Sequence, residues 1–327
     1  MEIITTELNI LENYLRDQGW LKKEEKVLAV ETPGDGNMNF TLRVRTNQGS
    51  FIIKQSRAYV EKYPQVSAPA DRSLREAEFY TLIDQYDILK VQMPKLRGVD
   101  RENYVLNLED LGDGIDYSFL YHKERYLKES ELEVIMDFAV NLHGNIHLDT
   151  TDIRIPNREM RRLNHEHIFV FPYLQENGLN LDDIVPGLRE VGNIFKQDKE
   201  LIEMVQQLGE RYLLDGKTLL HGDYFPGSWL NTNGGIKIID PEFCFFGDPE
   251  FEIGVTLAHL KLATQPQTII DKALKFYMDR APLQKELCHQ FMATEILRRI
   301  LGLAQLPLSL DLVERHTLLQ EAKEILV

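Results

Sequence analysis

Only two cysteines, Cys244 and Cys288, occur in 327 residues, and they stand far apart. A disulfide framework is therefore excluded, and a reducing, cytoplasmic setting is expected. No apolar run approaches the ~18 residues needed to cross a bilayer. The first residues, MEIITTELNILENYLRDQGW, are acidic and amphipathic and lack a basic start before an apolar core, so no signal peptide is read there. Positive charge is scarce: 37 Lys and Arg stand against 52 Asp and Glu, a net charge of −15. That balance argues against nucleic acid or an anionic membrane surface as the main partner. Internal repeats and low-complexity tracts are missing too. With 43% apolar and 27% charged residues, a disordered, collagenous or coiled-coil chain is excluded. At roughly 150 residues per domain, the length predicts two domains or lobes.

What is present changes character along the chain. Leu8, Ile10, Leu11 and Leu15 predict a first helix within residues 5–19. Then KVLAVET, NFTLRVRT and SFIIKQS read as three strands, with Asn47-Gln48-Gly49 turning the second into the third. A polar, Pro-bearing loop is expected from Tyr63 to Asp71. Asp71 is placed as the N-cap of a helix carrying Leu74, Ala77 and Leu82, and VQMPKLRGVD and NYVLNLEDLG supply two more strands. Beyond Gly112 the apolar period is mostly helical, near 130–148, 181–214, 251–264, 267–281, 284–305 and 310–326. An island at 217–251 interrupts it with two β-like runs, TLL and IKIID, around Gly234-Gly235. The expected architecture is α+β. An antiparallel N-terminal lobe with one main helix (1–110) joins a mainly helical C-terminal lobe (111–327), with a hinge near 108–112.

Four features could carry chemistry. Gly34-Asp35-Gly36-Asn37-Met38-Asn39-Phe40 lies between two strands. It is either a plain turn or a loop whose backbone N–H groups approach a phosphate, and it matches neither GxGxxG nor a Walker sequence. Lys54, at the end of an apolar strand, could meet α- and β-phosphates, held by Glu76 or Glu78 on the following helix. His221-Gly222-Asp223 follows TLL, and a carboxylate at a strand end could accept a proton from a substrate hydroxyl. Asp240 and Glu242 leave the strand IKIID two positions apart, and hard oxygens there suit Mg²⁺. A phosphate loop, lysine, glutamate, base and metal carboxylates in this order, split over two lobes, are the parts that phosphoryl transfer requires. His143 and His147 stand four apart on a predicted helix but have no third zinc ligand in an HExxH-like pattern, so they are assigned to packing. Cys244, between Phe243 and Phe245, is assigned to the core.

On these residues the sequence resembles the protein-kinase-like small-molecule kinases, the aminoglycoside phosphotransferase and choline kinase superfamily. Within it the likeness is greatest to methylthioribose kinases. The resemblance runs from about 31 to 305, through GDGNMNF, IIKQ with a following AYV, REAE, LEDL, HGD with a later GS, IDPEF with FG, and EILRR running into GLA. It implies a bilobal kinase fold and transfer of phosphate from ATP, with Mg²⁺, to a hydroxyl of a small molecule such as 5-methylthioribose. Gly36, Asn37 and Asn39 would cover the phosphates, Lys54 would contact them with Glu76 as partner, and backbone groups of Glu109 and Leu111 would receive adenine. Asp223 would be the catalytic base, Asp240 and Glu242 the Mg²⁺ ligands, and Arg298 and Arg299 the pair that supplies a substrate-contacting arginine. The segment Asn164–Phe169 would line the acceptor cleft, and a homodimer is suggested. The sequence departs from many relatives at Ser228, where they place a metal-ligating Asn. It departs again at Tyr224-Phe225-Pro226, which replaces smaller residues after the base. The chain is also short for a methylthioribose kinase, with the reduction in the helical lobe. An aminoglycoside- or choline-type kinase is the alternative of the same fold, and a non-catalytic nucleotide-binding module or pseudokinase is the alternative of a different functional class.

Overall fold

A computed structural model describes residues 3–34, 36 and 38–327. The chain divides into two compact units, Met1–Gly114 with Thr232–Cys244, and Ile115–Asn231 with Phe245–Val327.

In the first unit, helix α1 (Leu8–Asp17) precedes strands β1 (Val27–Glu31), β2 (Phe40–Thr46) and β3 (Gly49–Gln55). After a short hairpin of β4 (Tyr59–Val60) and β5 (Tyr63–Ser67) come helices α2 (Arg72–Ile83) and α3 (Asp87–Lys90), then β6 (Leu96–Asp100) and β7 (Val105–Glu109). One antiparallel sheet results, in the order β1-β2-β3-β7-β6. Successive side chains of a strand point to opposite faces. Leu42, Val44, Phe51, Ile53 and Val105 therefore meet Leu11 and Leu15 of α1 in one core, while Lys54 points to the other face. There α2 packs on β6 and β7. Arg72, Glu76, Tyr80 and Ile83 recur at three- and four-residue spacing and are all buried. One stripe of α2 thus delivers a cation and a carboxylate together.

The sheet and its main helix agree with the α+β expectation. The segment read as a loop from Tyr63 holds strand β5, with Tyr59 paired to Ser67 and Val60 to Tyr63. Pro64 tolerates this position because a two-stranded hairpin leaves N–H groups facing outward. Asp71 does precede α2, but its side chain makes no cap hydrogen bond. A single cut at residue 110 also misplaces 232–244. Ile238 N–H donates to Gln92 O at 2.7 Å and Lys237 Nζ to Val91 O at 2.5 Å, which ties this strand and its acidic turn to the first unit.

The second unit is built from α4 (Glu129–Asn145), α5 (Arg158–His165), α6 (Leu188–Lys196), α7 (Lys199–Tyr212), α8 (Pro249–Leu262), α9 (Gln267–Met278), α10 (Lys285–Leu301) and α11 (Leu312–Leu326). A two-stranded antiparallel ribbon, Thr218–Leu220 with Phe245–Gly247, crosses it. Helix α8 is buried on nearly every side and packs along α10. Helix α5 and the π-turn Glu166–Val170 that continues it were not legible as a helix, because Arg158, Glu159, Arg161 and Arg162 hide the apolar period. Both cysteines are buried, and no helix among the described residues is long and apolar enough to cross a membrane.

At Gly98 backbone and ring approach so closely that any Cβ would collide with the Trp20 indole. Gly98→Ala is expected to displace that ring and cost about 1–3 kcal/mol, read by urea unfolding together with a change in tryptophan emission.

Candidate active site

The predicted residues fall into two clusters, one in each unit. In the first, Lys54 is only 4% exposed. Its Nζ donates to Glu76 Oε2 at 2.7 Å and also contacts Asp240 Oδ1. Burial alone would lower its pKa, but Asp240, Glu76 and Glu242 outweigh that and hold it well above the usual lysine range. Glu76 is pushed up to about 8 by burial, against the pull of Lys54. Burial likewise raises Glu242. Glu242 Oε2 accepts from Asn39 Nδ2 at 2.8 Å and pairs with Arg72 Nε at 3.2 Å. Of the two glutamates offered as partner to Lys54, the structure selects Glu76; Glu78 pairs with Arg75 instead.

Asp240 stands at φ +71°, a left-handed backbone that few non-glycine residues adopt. Its side chain is half-exposed while Glu242 is buried. Three carboxyl groups (Glu76, Asp240, Glu242) meet two cations (Lys54, Arg72), one acid more than there are cations. That excess fits a divalent cation. No three His, Cys, Asp or Glu side chains gather as a metal cage among the described residues, so phosphate and water would have to complete a Mg²⁺ shell. Gly36 is exposed, and Asn37 lies outside the described residues. Glu109 N–H donates to Lys95 O at 2.9 Å, and Leu111 is partly exposed one residue beyond Asp110. Arg43 fixes that segment through Asp110 and the carbonyl of Gly112.

In the second unit, His221-Gly222-Asp223 leaves the strand Thr218–Leu220. Glu252 of α8 holds this turn from beneath, its Oε1 accepting from His221 N–H at 3.2 Å and its Oε2 from Gly222 N–H at 2.7 Å. His143 Nε2 reaches the same carboxylate at 2.9 Å, and its Nδ1 lies 2.8 Å from Tyr277 Oη. His143 is therefore part of the support beneath the turn. Ser228 Oγ donates to the carbonyl of Asp223 at 2.6 Å. Ser228, the position read as a departure from the family pattern, thus braces the loop that carries Asp223.

Around Phe225 a second buried network forms. Glu295 of α10 accepts from Arg298 Nη1 at 3.0 Å to both oxygens, and from Arg299 Nε at 2.6 Å. Burial works against its ionisation, yet Arg298 and Arg299 hold it well below the usual carboxylate range. His259 Nε2 lies 3.1 Å from Glu295 Oε1, and its Nδ1 lies 2.5 Å from Tyr121 Oη. Burial pushes His259 down to about 4, so the ring is neutral. A carboxylate can only accept, so the single ring proton is assigned to Nε2, and Tyr121 donates to Nδ1. Phe225 packs on His259 with ring centroids 4.8 Å apart, and the Arg299 guanidinium lies 5.2 Å above Phe225. Asp223 is among the charges felt by both arginines. Arg299 Nη1 also donates to Ala304 O at 3.2 Å, and a Cβ at Gly302 would meet Arg298 O at 2.5 Å, which explains why RR and GLA occur together. Sequence reasoning missed Glu252, His259 and Tyr121. Glu252 and His259 stand seven apart on helix α8, which also carries Glu250 and Lys261, so nothing local sets the pair apart.

The family described as phosphotransferase enzyme family (APH) matches residues 29–281. The chain belongs to that family. A curated methylthioribose kinase of Yersinia pestis (strain Pestoides F) is 29% identical over 262 residues, covering 76% of this chain and 62% of the relative. One of Bacillus cereus (strain B4264) is 28% identical over 264 residues, covering 76% and 64%. The chain thus spans less than two-thirds of the length of these curated relatives. Among solved structures, choline kinase LicA from Streptococcus pneumoniae superposes with a TM-score of 0.53 at 16% identity, over 97% of this chain and 98% of that one. ADP-bound aminoglycoside phosphotransferase APH(2'')-Ib gives 0.50 at 16%, over 96% and 98%. At such identity these structures establish the shared fold, in agreement with the kinase-like α+β expectation.

The neutral His259 has a measurable consequence. Its folded pKa of about 4 lies below the ordinary 6.5, so the unfolded chain binds the extra proton between those values and stability falls as pH drops through them. That contribution is about 3 kcal/mol. His259→Gln, which keeps a donor and an acceptor, should flatten this part of the pH dependence of urea unfolding.

Proposed function

We propose that the protein is an ATP- and Mg²⁺-dependent kinase that phosphorylates a hydroxyl of a small molecule, a sugar of the 5-methylthioribose kind. The observation that carries this reading is Lys54 held between Glu76 and Asp240 in a chain whose curated relatives are methylthioribose kinases. An ADP-bound relative of the same fold supports the nucleotide.

In this reading Lys54, fixed by Glu76, contacts the α- and β-phosphates, and the glycine-bearing loop around Gly36, Asn37 and Asn39 covers them. Glu109 and Leu111 present backbone groups to adenine. Asp240 and Glu242 would hold Mg²⁺, which when bound neutralises phosphate charge. Asp223, on a turn whose two preceding N–H groups are tied to Glu252, orients the acceptor hydroxyl and takes its proton. The acceptor oxygen forms its bond to the γ-phosphorus as the bond to the β–γ bridging oxygen breaks, and ADP leaves. Arg298 or Arg299 holds the acceptor or the transferring phosphoryl oxygens. A cationic acceptor of the aminoglycoside or choline type would have to enter beside two guanidiniums, so a neutral polyol is the better match.

A coupled ADP-release assay with Mg²⁺, run on methylthioribose, an aminoglycoside and choline, checks the assignment. Turnover of the sugar is expected, and Asp223→Ala should lose about 10²–10⁴-fold in kcat while keeping ADP binding. Wild-type turnover in that variant would sink the base assignment, and no turnover of any acceptor by the native protein would favour the pseudokinase.

A further inference from the structure

Arg72 is the largest fully buried side chain of the first unit, and no role described so far uses it. All three guanidinium nitrogens are engaged. Nε donates to Asn39 Oδ1 at 3.0 Å and pairs with Glu242 Oε2. Nη1 donates to the carbonyls of Arg57 and Pro69, both at 2.7 Å. Nη2 donates to Met38 O at 2.7 Å and Tyr59 O at 3.4 Å. One cation thus grips the end of the glycine-bearing loop, the β4–β5 hairpin, the segment leading into α2, and Glu242.

Asn39 is part of the same device. Its Oδ1 receives Ser56 Oγ at 2.9 Å as well as Arg72 Nε, which turns the amide so that Nδ2 donates to Glu242 Oε2. Glu242 Oε2 is therefore fixed by two donors, both referred to one guanidinium. A lysine could supply the charge but not this fork, because its three donors radiate from a single atom.

We propose that Arg72 is a positioning residue for the metal-holding carboxylate, which with Ser56 and Asn39 orients Glu242 and joins it to the loop at Met38 so that the two move as one piece. The proposal rests on the reading of Asp240 and Glu242 as Mg²⁺ ligands. Groups that orient metal ligands are worth roughly 10–100-fold in metal affinity, although they touch neither metal nor substrate.

Calorimetric ADP binding, with and without Mg²⁺, tests this in wild type, Arg72→Lys, Ser56→Ala, Glu242→Gln and the Arg72→Lys/Glu242→Gln double variant, with folding followed by circular dichroism. Mg²⁺ should strengthen ADP binding to the wild type. Arg72→Lys should cut that gain about tenfold while Mg²⁺-free binding stays within about twofold. Ser56→Ala should act in the same direction by less, and Arg72→Lys should add nothing once Glu242 is Gln. The proposal is overturned by an unchanged Mg²⁺ gain in Arg72→Lys or, should that protein not fold, in Ser56→Ala. Equal losses with and without Mg²⁺, or full additivity with Glu242→Gln, overturn it as well. Wild-type ADP binding that ignores Mg²⁺ would instead remove the metal reading itself, and this proposal with it.

Discussion

An ammonium group taken out of water costs several kcal/mol unless carboxylates replace the lost solvation. The first unit is arranged around meeting that demand at Lys54. Strand alternation aims the lysine away from the α1 core, and the four-residue spacing of α2 brings Glu76 to it. The strand Gly235–Ile238 is drawn into the unit so that the turn after it can place Asp240 on the same Nζ. Once three carboxylates are gathered there, a second buried cation is needed, and Arg72 supplies it. The left-handed backbone of Asp240 is tolerated because its side chain is held in this network.

The second unit meets the converse demand. Two guanidiniums four and three residues from Glu295 on α10 share its one carboxylate, and the histidine on α8 touching that carboxylate stays neutral. Helix α8 supports both ends of the arrangement. Glu252 near its N-terminus fixes the turn before Asp223, and His259 two turns on supports Phe225 and Glu295. With Glu252 and His259 seven residues apart on it, α8 sets the spacing between the turn before Asp223 and the arginine pair.

This distribution explains what the sequence disclosed. Lys54 and Asp240, which the structure brings together, stand at a strand end and in a turn that the sequence pattern marks locally, whereas the choice of Glu76 over Glu78 needed the structure. The longer helices were legible from their apolar period, except α5, where four charged residues mask it; the single-turn α3 is too short to show one. Glu252, His259, Tyr121 and Arg72 were not legible, because each acquires its role from a partner distant in sequence: 30 residues from Gly222 to Glu252, 138 from Tyr121 to His259. Asn39, read as part of the loop over the phosphates, also turns its side chain to Glu242, 203 residues away. The assignment of 232–244 to the helical lobe failed for the same reason, since only long-range hydrogen bonds place it with the sheet.

Local charge counts then say more than the net −15. The first cluster holds one carboxyl group more than it holds cations, an acid-rich place that a metal ion could share. In the second, Arg298, Arg299, Glu295 and Asp223 cancel while Asp223 is ionised. A proton arriving on Asp223 leaves one positive charge unbalanced beside it. In the proposed reaction that proton arrives as the acceptor oxygen and the transferred phosphoryl group share their negative charge, so the surplus forms when an anion is there to use it. Fixed dipoles and charges act most strongly where water is excluded and nothing has to reorganise. The burial of Glu295 and His259 provides both conditions, holding the two arginines still while the charge beside them changes.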